Sequence, residues 1–199
     1  IFAVNDEARR KGLSSCVITF HPHPQKVLRN IDVPLLLPLR ERFKLLESEG
    51  IDVVVCYVFT EEIARIGARN FVTDILVGKL KLKHLIVGPD FSFGRSREGN
   101  SALLNAMGKE HGFDIEVVEP ARIDGETVSS SAIREQIRSG NMEKAARFLG
   151  YNFYVDGEVR EGEKRGRQIG FPTANIHTDW EILPKPGVYA TSAYLGNNI

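Results

Sequence analysis

Val53-Val54-Val55-Cys56-Tyr57-Val58-Phe59 is an uninterrupted apolar run rich in β-branched and aromatic residues. A strand with one face in water alternates polar and apolar positions, whereas a strand covered on both faces has no need to. The run therefore predicts a strand of a parallel sheet with cover above and below. Working upstream, Leu39 to Glu49 reads as a helix stopped by Gly50, and Cys16 to Phe20 as a strand emptying into His21-Pro22-His23-Pro24. Residues 3–11 read as the polar end of an earlier helix, stopped by Gly12. Downstream, Phe71, Val72, Ile75, Leu76 and Leu80 mark an amphipathic helix and His84 to Gly88 a strand. Ser101 to His111 reads as a helix closed by Gly112, and Ile115 to Val118 as a strand. This alternation predicts a doubly wound α/β domain.

In such sheets ligands bind beyond the carboxyl ends of the strands. Three loops are placed there by the pattern: His21 to Pro24, Pro89 to Arg97, and Val128 to Arg134. We expect all three to face one crevice. In the third, Ser129, Ser130 and Ser131 stand before a segment whose Ile133/Ile137 and Arg134/Arg138 pairs recur at a spacing of four, predicting a helix from Ala132 to Ser139. The first N–H groups of a helix lack partners within it, and the summed peptide dipoles place about half a positive charge there. Three hydroxyls and the planar fork of Arg134 make phosphate the natural guest. The competing reading is that Ser131 merely caps the helix.

A second short helix, Glu143 to Leu149, ends at Gly150, and the texture then changes. Tyr154 to Val159 and Val188 to Leu195 alternate with period two, punctuated by Gly and Pro, which predicts an antiparallel β domain over 151–199 after an α/β domain over 1–150. The length of 199 residues allows that division, and a composition 42% hydrophobic and 26% charged is that of an ordinary globular chain. Lys plus Arg (26) balance Asp plus Glu (26), so there is no global basic field for nucleic acid. No apolar run approaches the roughly 18 residues of a membrane span. Cys16 and Cys56 sit in apolar runs, as buried thiols of a reducing compartment do, and the expected location is the cytoplasm. The chain opens on Ile1, and we expect further residues upstream.

In the second domain Gly162, Gly166 and Gly170 punctuate a basic turn and would let backbone N–H groups approach a polyphosphate closely. Thr173 and Asn175, two residues apart, offer neutral oxygens of the kind Mg²⁺ accepts alongside phosphate and water. Lys164, Arg165 and Arg167 read equally well as solvated charges. His21 and His23 have His-x-His spacing but no third ligand near in sequence, so shaping the loop beside a nucleotide is preferred to metal binding. Asp90 could simply cap a turn, and the alternation of Phe91 and Phe93 also fits a short core strand.

The string Gly162-x-x-x-Gly166-Arg167-x-x-Gly170-Phe-Pro-Thr173-Ala-Asn175 resembles the signature of riboflavin kinases. Independently, Thr19-Phe-His-Pro-His-Pro24, Gly88-Pro-Asp-Phe-Ser-Phe-Gly-Arg95 and Ser129-Ser-Ser-x-x-Arg134 resemble, in order, three motifs of the bacterial FMN adenylyltransferase module. Together they resemble the bifunctional riboflavin kinase/FMN adenylyltransferase family, the bacterial FAD synthetases. The resemblance implies a Rossmann-like nucleotidyltransferase domain followed by part of an antiparallel β-barrel kinase domain. It implies that ATP phosphorylates riboflavin to FMN, that a second ATP adenylylates FMN to FAD with release of pyrophosphate, and that both steps use Mg²⁺. It assigns Ser129, Ser130 and Arg134 to the ATP phosphates at the adenylyl site, with Ser131 where Thr is usual. It puts Asp90, Phe91 and Phe93 in a loop beside flavin and nucleotide, although an acidic residue is usual where Pro89 stands.

The family's His-x-Gly-His segment and its kinase general-base Glu are absent from these 199 residues. Weak turnover is therefore expected of this chain alone. Two other readings stay open at this point: an adenylyltransferase acting on another phosphorylated acceptor, such as a nicotinate or pantetheine phosphate, and a non-catalytic flavin or nucleotide binder. Nothing in the sequence sets an oligomeric state.

Overall fold

The structure, a computed structural model, describes residues 1–162, 170 and 173–196. The chain forms two compact units, Ile1–Ala121 and Arg122–Ile199.

The first unit begins with α1 (Phe2–Lys11), closed by Gly12 in the left-handed conformation. It continues through β1 (Cys16–His21), α2 (Pro24–Arg29), α3 (Leu39–Ser48) and β2 (Val53–Val58). β1 and β2 pair in parallel, Cys16 opposite Val53 and His21 opposite Val58. The short α4 (Glu61–Ala64) and α5 (Ala68–Asn70) follow, and α5 runs directly into a π-helical stretch, Phe71–Lys79. Its wider turn is visible where the Leu80 N–H bonds Ile75 O at 3.0 Å. The spacing of four to five residues from Phe71 through Ile75 and Leu76 to Leu80 suits that wider turn. β3 (His84–Val87), a short turn at Arg95–Arg97 in which Ser96 and Arg97 take positive φ, α6 (Ser101–His111) and β4 (Asp114–Val117) complete the unit. β3 and β4 are again parallel.

Parallel pairing is thus present as the sequence predicts, but the described residues hold two separate parallel pairs. Nor is β2 covered throughout: Val53 is 44% and Val58 70% exposed. Among the described residues β2 hydrogen-bonds to β1 alone, and the apolar run overstates its burial. Cover is deeper around β3. Val72 and Leu76 from the π stretch, Val87 from β3, Leu104 and Met107 from α6, and Phe113 form the buried cluster.

Polar contacts set the register of the pieces. The Ser15 N–H and hydroxyl both donate to Asp52 Oδ2, at 2.8 and 3.0 Å, while the Asp52 N–H donates to Ser15 Oγ at 2.9 Å. The starts of β1 and β2 are thereby clamped together, and these donors hold the Asp52 carboxyl below the usual carboxylate range. At the starts of β3 and β4, Lys11 of α1 donates to Asp114 at 2.7 Å and pairs with Glu7 at 3.1 Å. Cys16 and Cys56 are free thiols. Burial raises the Cys16 pKa.

The second unit opens with a two-residue hairpin, β5 (Arg122–Ile123) and β6 (Glu126–Thr127). Asp124 and Gly125 make its turn with φ of 52° and 80°, the two positive angles that a tight primed turn demands and that Asp-Gly tolerates. α7 (Ser130–Ser139) and α8 (Met142–Leu149) follow, burying Ile133 and Ile137 from one and Ala145 and Phe148 from the other. Lys144 and Arg147 of α8 pair with Glu126 and Asp124 of the hairpin. Beyond Gly150 a single antiparallel pair forms, β7 (Glu158–Arg160) with β8 (Asn175–His177). Trp180 is buried, stacked edge-on by Phe153 and Tyr154, and its indole N–H donates to Asp156 at 2.6 Å.

The strand expected at Val188 to Leu195 does not form, and Val188 is fully exposed. The strand expected from Tyr154 shrinks to Glu158–Arg160. Alternation makes a strand only where a neighbouring edge supplies hydrogen bonds. Among the described residues beyond Gly150 only β7 and β8 find one another, and no closed barrel is present there.

Two outcomes follow from these contacts. Leu104 is wholly buried, so Leu104→Ala should lower unfolding free energy by about 2–5 kcal/mol in a denaturant titration. Because Asp52 titrates lower when folded, its contribution is present above its unfolded pKa of about 3.9 and is lost as pH falls through the folded value. Asp52→Asn should accordingly make the fall in melting temperature below about pH 4 shallower; an unchanged acid limb would deny the clamp any role.

Candidate functional site

The first unit brings two of the expected loops to its strand ends. At the end of β1, Arg42 of α3 donates to Thr19 Oγ1 at 3.0 Å, and the Phe59 N–H bonds His21 O at 2.9 Å. The His21–Pro22 peptide is cis. His23 then caps α2, its Nδ1 accepting from the Gln25 N–H at 3.2 Å, with Pro24 in the first turn. His23 is thus a helix cap, while His21 ends the strand with an exposed side chain.

After β3, the Phe91 N–H closes a turn on Gly88 O at 3.2 Å, with Asp90 exposed within it. Phe91 and Phe93 stack with centroids 5.5 Å apart and planes 22° from parallel. Phe93 also bridges Gly99 by two backbone bonds of 3.1 and 2.9 Å. The core-strand reading is therefore half right: Phe93 packs against the buried cluster, while Phe91 keeps 37% of its surface exposed.

A cavity of about 1060 Å³ lies in this unit, lined by Ile18 and Phe20 of β1, Leu85 and Val87 of β3, and Phe91 and Phe93. His21, His23 and Asp90 lie outside its lining.

In the second unit the expected serine helix exists and starts two residues earlier than predicted. Ser129 is its N-cap, with φ −146° and ψ 158°, and its Oγ accepts the Ala132 N–H at 3.1 Å. The cap is therefore Ser129 and not Ser131, because the backbone turns helical already at Ser130. A capping hydroxyl accepts one bond and still has its own hydrogen to give. Ser130 and Ser131 occupy the first turn, exposed, where N–H groups have no acceptor within the helix. Arg134 lies one turn on, half-buried; burial first and the Arg138 charge second push its pKa down.

Of the expected phosphate turn, Gly162 and Gly170 are described, and Gly166 lies outside the described residues. Gly170 has φ of 84°. Asn175 opens β8 opposite Arg160, and a Cβ at Gly162 would run into its amide, so glycine is what leaves room there. Thr173 and Asn175 are both exposed. The His21–Pro24 and Pro89–Arg97 loops belong to the first unit, and Ser129–Arg134 and the Gly162–Asn175 string to the second.

Two parallel strand pairs with helices between the strands place the first unit in the mixed α/β class. Comparison with known proteins narrows the class. The FAD synthetase family model matches residues 1–132 and the riboflavin kinase model residues 149–199. The chain belongs to the FAD synthetase family. A bifunctional riboflavin kinase/FMN adenylyltransferase of Escherichia coli (strain K12) is 38% identical over 188 residues, which are 94% of this chain and 60% of that protein. The protein so named in Listeria monocytogenes serovar 1/2a is 38% identical over 186 residues, 92% of this chain and 59% of that one. A crystal structure described as a macrolide-efflux protein from Streptococcus pneumoniae matches with a TM-score of 0.85 at 29% identity, over 94% of this chain and 62% of that one. The chain spans about 60% of the length of the curated relatives it matches. No helix among the described residues is long and apolar enough to cross a membrane.

Ser129→Ala removes the α7 cap and should cost about 0.5–2 kcal/mol in stability, with Ser129→Asn recovering most of it. Thermal melts of the two variants check this.

Proposed function

We propose that this chain carries the chemistry of FAD biosynthesis: transfer of the ATP γ-phosphate to riboflavin, giving FMN, and adenylylation of FMN to FAD with release of pyrophosphate. The observation that carries the reading is the capped, serine-lined start of α7 with Arg134 in reach, found in a chain that matches the FAD synthetase and riboflavin kinase families in that order. The riboflavin kinase match over 149–199 favours flavin over any other phosphorylated acceptor. We take the first module as part of a doubly wound Rossmann-like nucleotidyltransferase domain over 1–150, and β7–β8 as part of an antiparallel kinase barrel over 151–199. The free thiols fit a reducing cytoplasm.

Adenylyl transfer needs no covalent enzyme intermediate. An FMN phosphate oxygen attacks the ATP α-phosphorus in line as the bond to the leaving pyrophosphate breaks, and charge builds on that leaving group. Arg134, the Ser129 and Ser130 hydroxyls and the first N–H groups of α7 are the donors that would take it up; being fixed by the helix, they need no reorganisation. Ser131 adds a third hydroxyl on the same turn. Phe91 and Phe93 would pack on the isoalloxazine ring, with Asp90, His21 and His23 shaping the loops beside flavin and nucleotide.

In the kinase module Gly162, Gly166 and Gly170 would let backbone N–H groups approach the ATP phosphates, and Thr173 and Asn175 would hold Mg²⁺. Two neutral oxygens suit an ion that keeps waters and phosphate in its shell, and Thr173 and Asn175 are both exposed. When bound, the ion would screen charge between phosphates. The partners are the small molecules ATP, riboflavin and FMN, with neither nucleic acid nor membrane involved.

Calorimetric titration tests this. Arg134→Ala should weaken ATP binding measured in the presence of FMN by roughly 10- to 100-fold, the worth of a charge-assisted hydrogen-bond pair. Riboflavin affinity should stay at the wild-type value. Equal losses for both ligands would refute separate adenylyl and kinase sites.

A further inference from the structure

Glu98 belongs to none of the motifs above, yet it joins the segment that carries Phe71 to the loop that carries Phe91 and Phe93. Its Oε1 accepts the Ala68 N–H at 2.8 Å. Ala68 opens the helix that continues through Phe71–Lys79, and it is 1% exposed. Its N–H therefore has no route to water, and Glu98 is what satisfies it. A carboxylate at a helix start also suits the peptide dipoles.

A second contact runs in parallel. The Arg95 N–H bonds Ile66 O at 2.8 Å. Gly94, with φ of 74°, lies so close that a Cβ there would stand 2.6 Å from the Ala68 Cα. Between these anchors the loop closes on itself through Phe93 and Gly99, where a Cβ at Gly99 would meet the Phe93 ring at 2.6 Å. Phe93 then touches Phe91 at 5.5 Å and, from the anchoring helix, Phe71 at 5.9 Å. The Phe91 ring is thus oriented by Phe93, and Phe93 by a loop pinned at 94–95 and at 98.

We infer that Glu98 is a positioning residue for flavin binding: its hydrogen bond to Ala68 holds the 88–99 loop so that Phe91 and Phe93 present a preformed aromatic face. The inference rests on the proposed flavin contact of those two rings. Ordering a loop before the ligand arrives removes that cost from binding. Losing the acceptor leaves a buried N–H unsatisfied and frees one end of the loop.

The test uses the 199-residue chain, FMN fluorescence titration, and trypsin cleavage after Arg95 and Arg97 without ligand. Glu98→Ala should weaken FMN binding about five- to tenfold and speed cleavage by a similar factor, the worth of one such hydrogen bond. Glu98→Gln keeps the accepting oxygen and should return both readings to within about twofold of wild type. Wild-type behaviour in Glu98→Ala, or an equal loss in Glu98→Gln, overturns the inference. Should Glu98→Ala fail to fold, Glu98→Gln decides alone: near-wild-type FMN binding and cleavage uphold the acceptor role, and loss of either ends it. Phe91→Ala separates the two levels. If it binds FMN as wild type does, the proposed flavin contact falls, whereas weakened binding there beside an unaffected Glu98→Ala removes only the role given to Glu98.

Discussion

The first unit depends on burying one apolar seam: Val72 and Leu76 of the π-helical stretch against Val87, Leu104, Met107 and Phe113. Parallel strands expose apolar faces that only packed helices can cover. The seam therefore decides where the helix around Phe71 lies and where β3 ends. From the end of β3 the chain must leave as a loop, and the aromatic pair Phe91 and Phe93 is the first thing that loop carries. Core and candidate site are thus consecutive in the chain, with the Phe93 ring packed on the seam while Phe91 reaches solvent.

The second unit rests on a smaller version of the same constraint. Ile133 and Ile137 bury one face of α7, which leaves Ser130, Ser131 and Glu135 on the exposed side. The cap at Ser129 satisfies one first-turn N–H and leaves others outward. The polar start of this amphipathic helix thus stays exposed while its apolar face is buried. The Asp124-Gly125 hairpin, tied to α8 by Lys144 and Arg147, braces the chain just ahead of it.

Short-range rules accounted for much that the structure contains. Helix stops at Gly12, Gly112, Gly140 and Gly150 were legible because only glycine enters the left-handed conformation without strain. Cys16 to Phe20 and His84 to Gly88 were legible because β-branched runs between turn residues have few alternatives. The Arg122–Thr127 hairpin was missed although Asp-Gly between short flanks is a turn signal. The serine helix was found with the wrong cap, since three consecutive serines carry equal propensity and only the backbone path chooses among them. Period-two alternation misled at Val188 to Leu195, because a strand is a property of a pair and no sequence window contains its partner.

The amino-acid order by itself determined which segments are helical or extended, where they stop, and which residue types could meet phosphate, flavin and Mg²⁺; these follow from local sterics and from chemistry carried by single side chains. Tertiary structure alone decided that β1 joins β2 and β3 joins β4, that β7 pairs with β8, and that Glu98 reaches back thirty residues to Ala68. The reason is physical: hydrogen-bond partners distant in sequence are selected by the packing of the whole chain, and no local pattern encodes that choice.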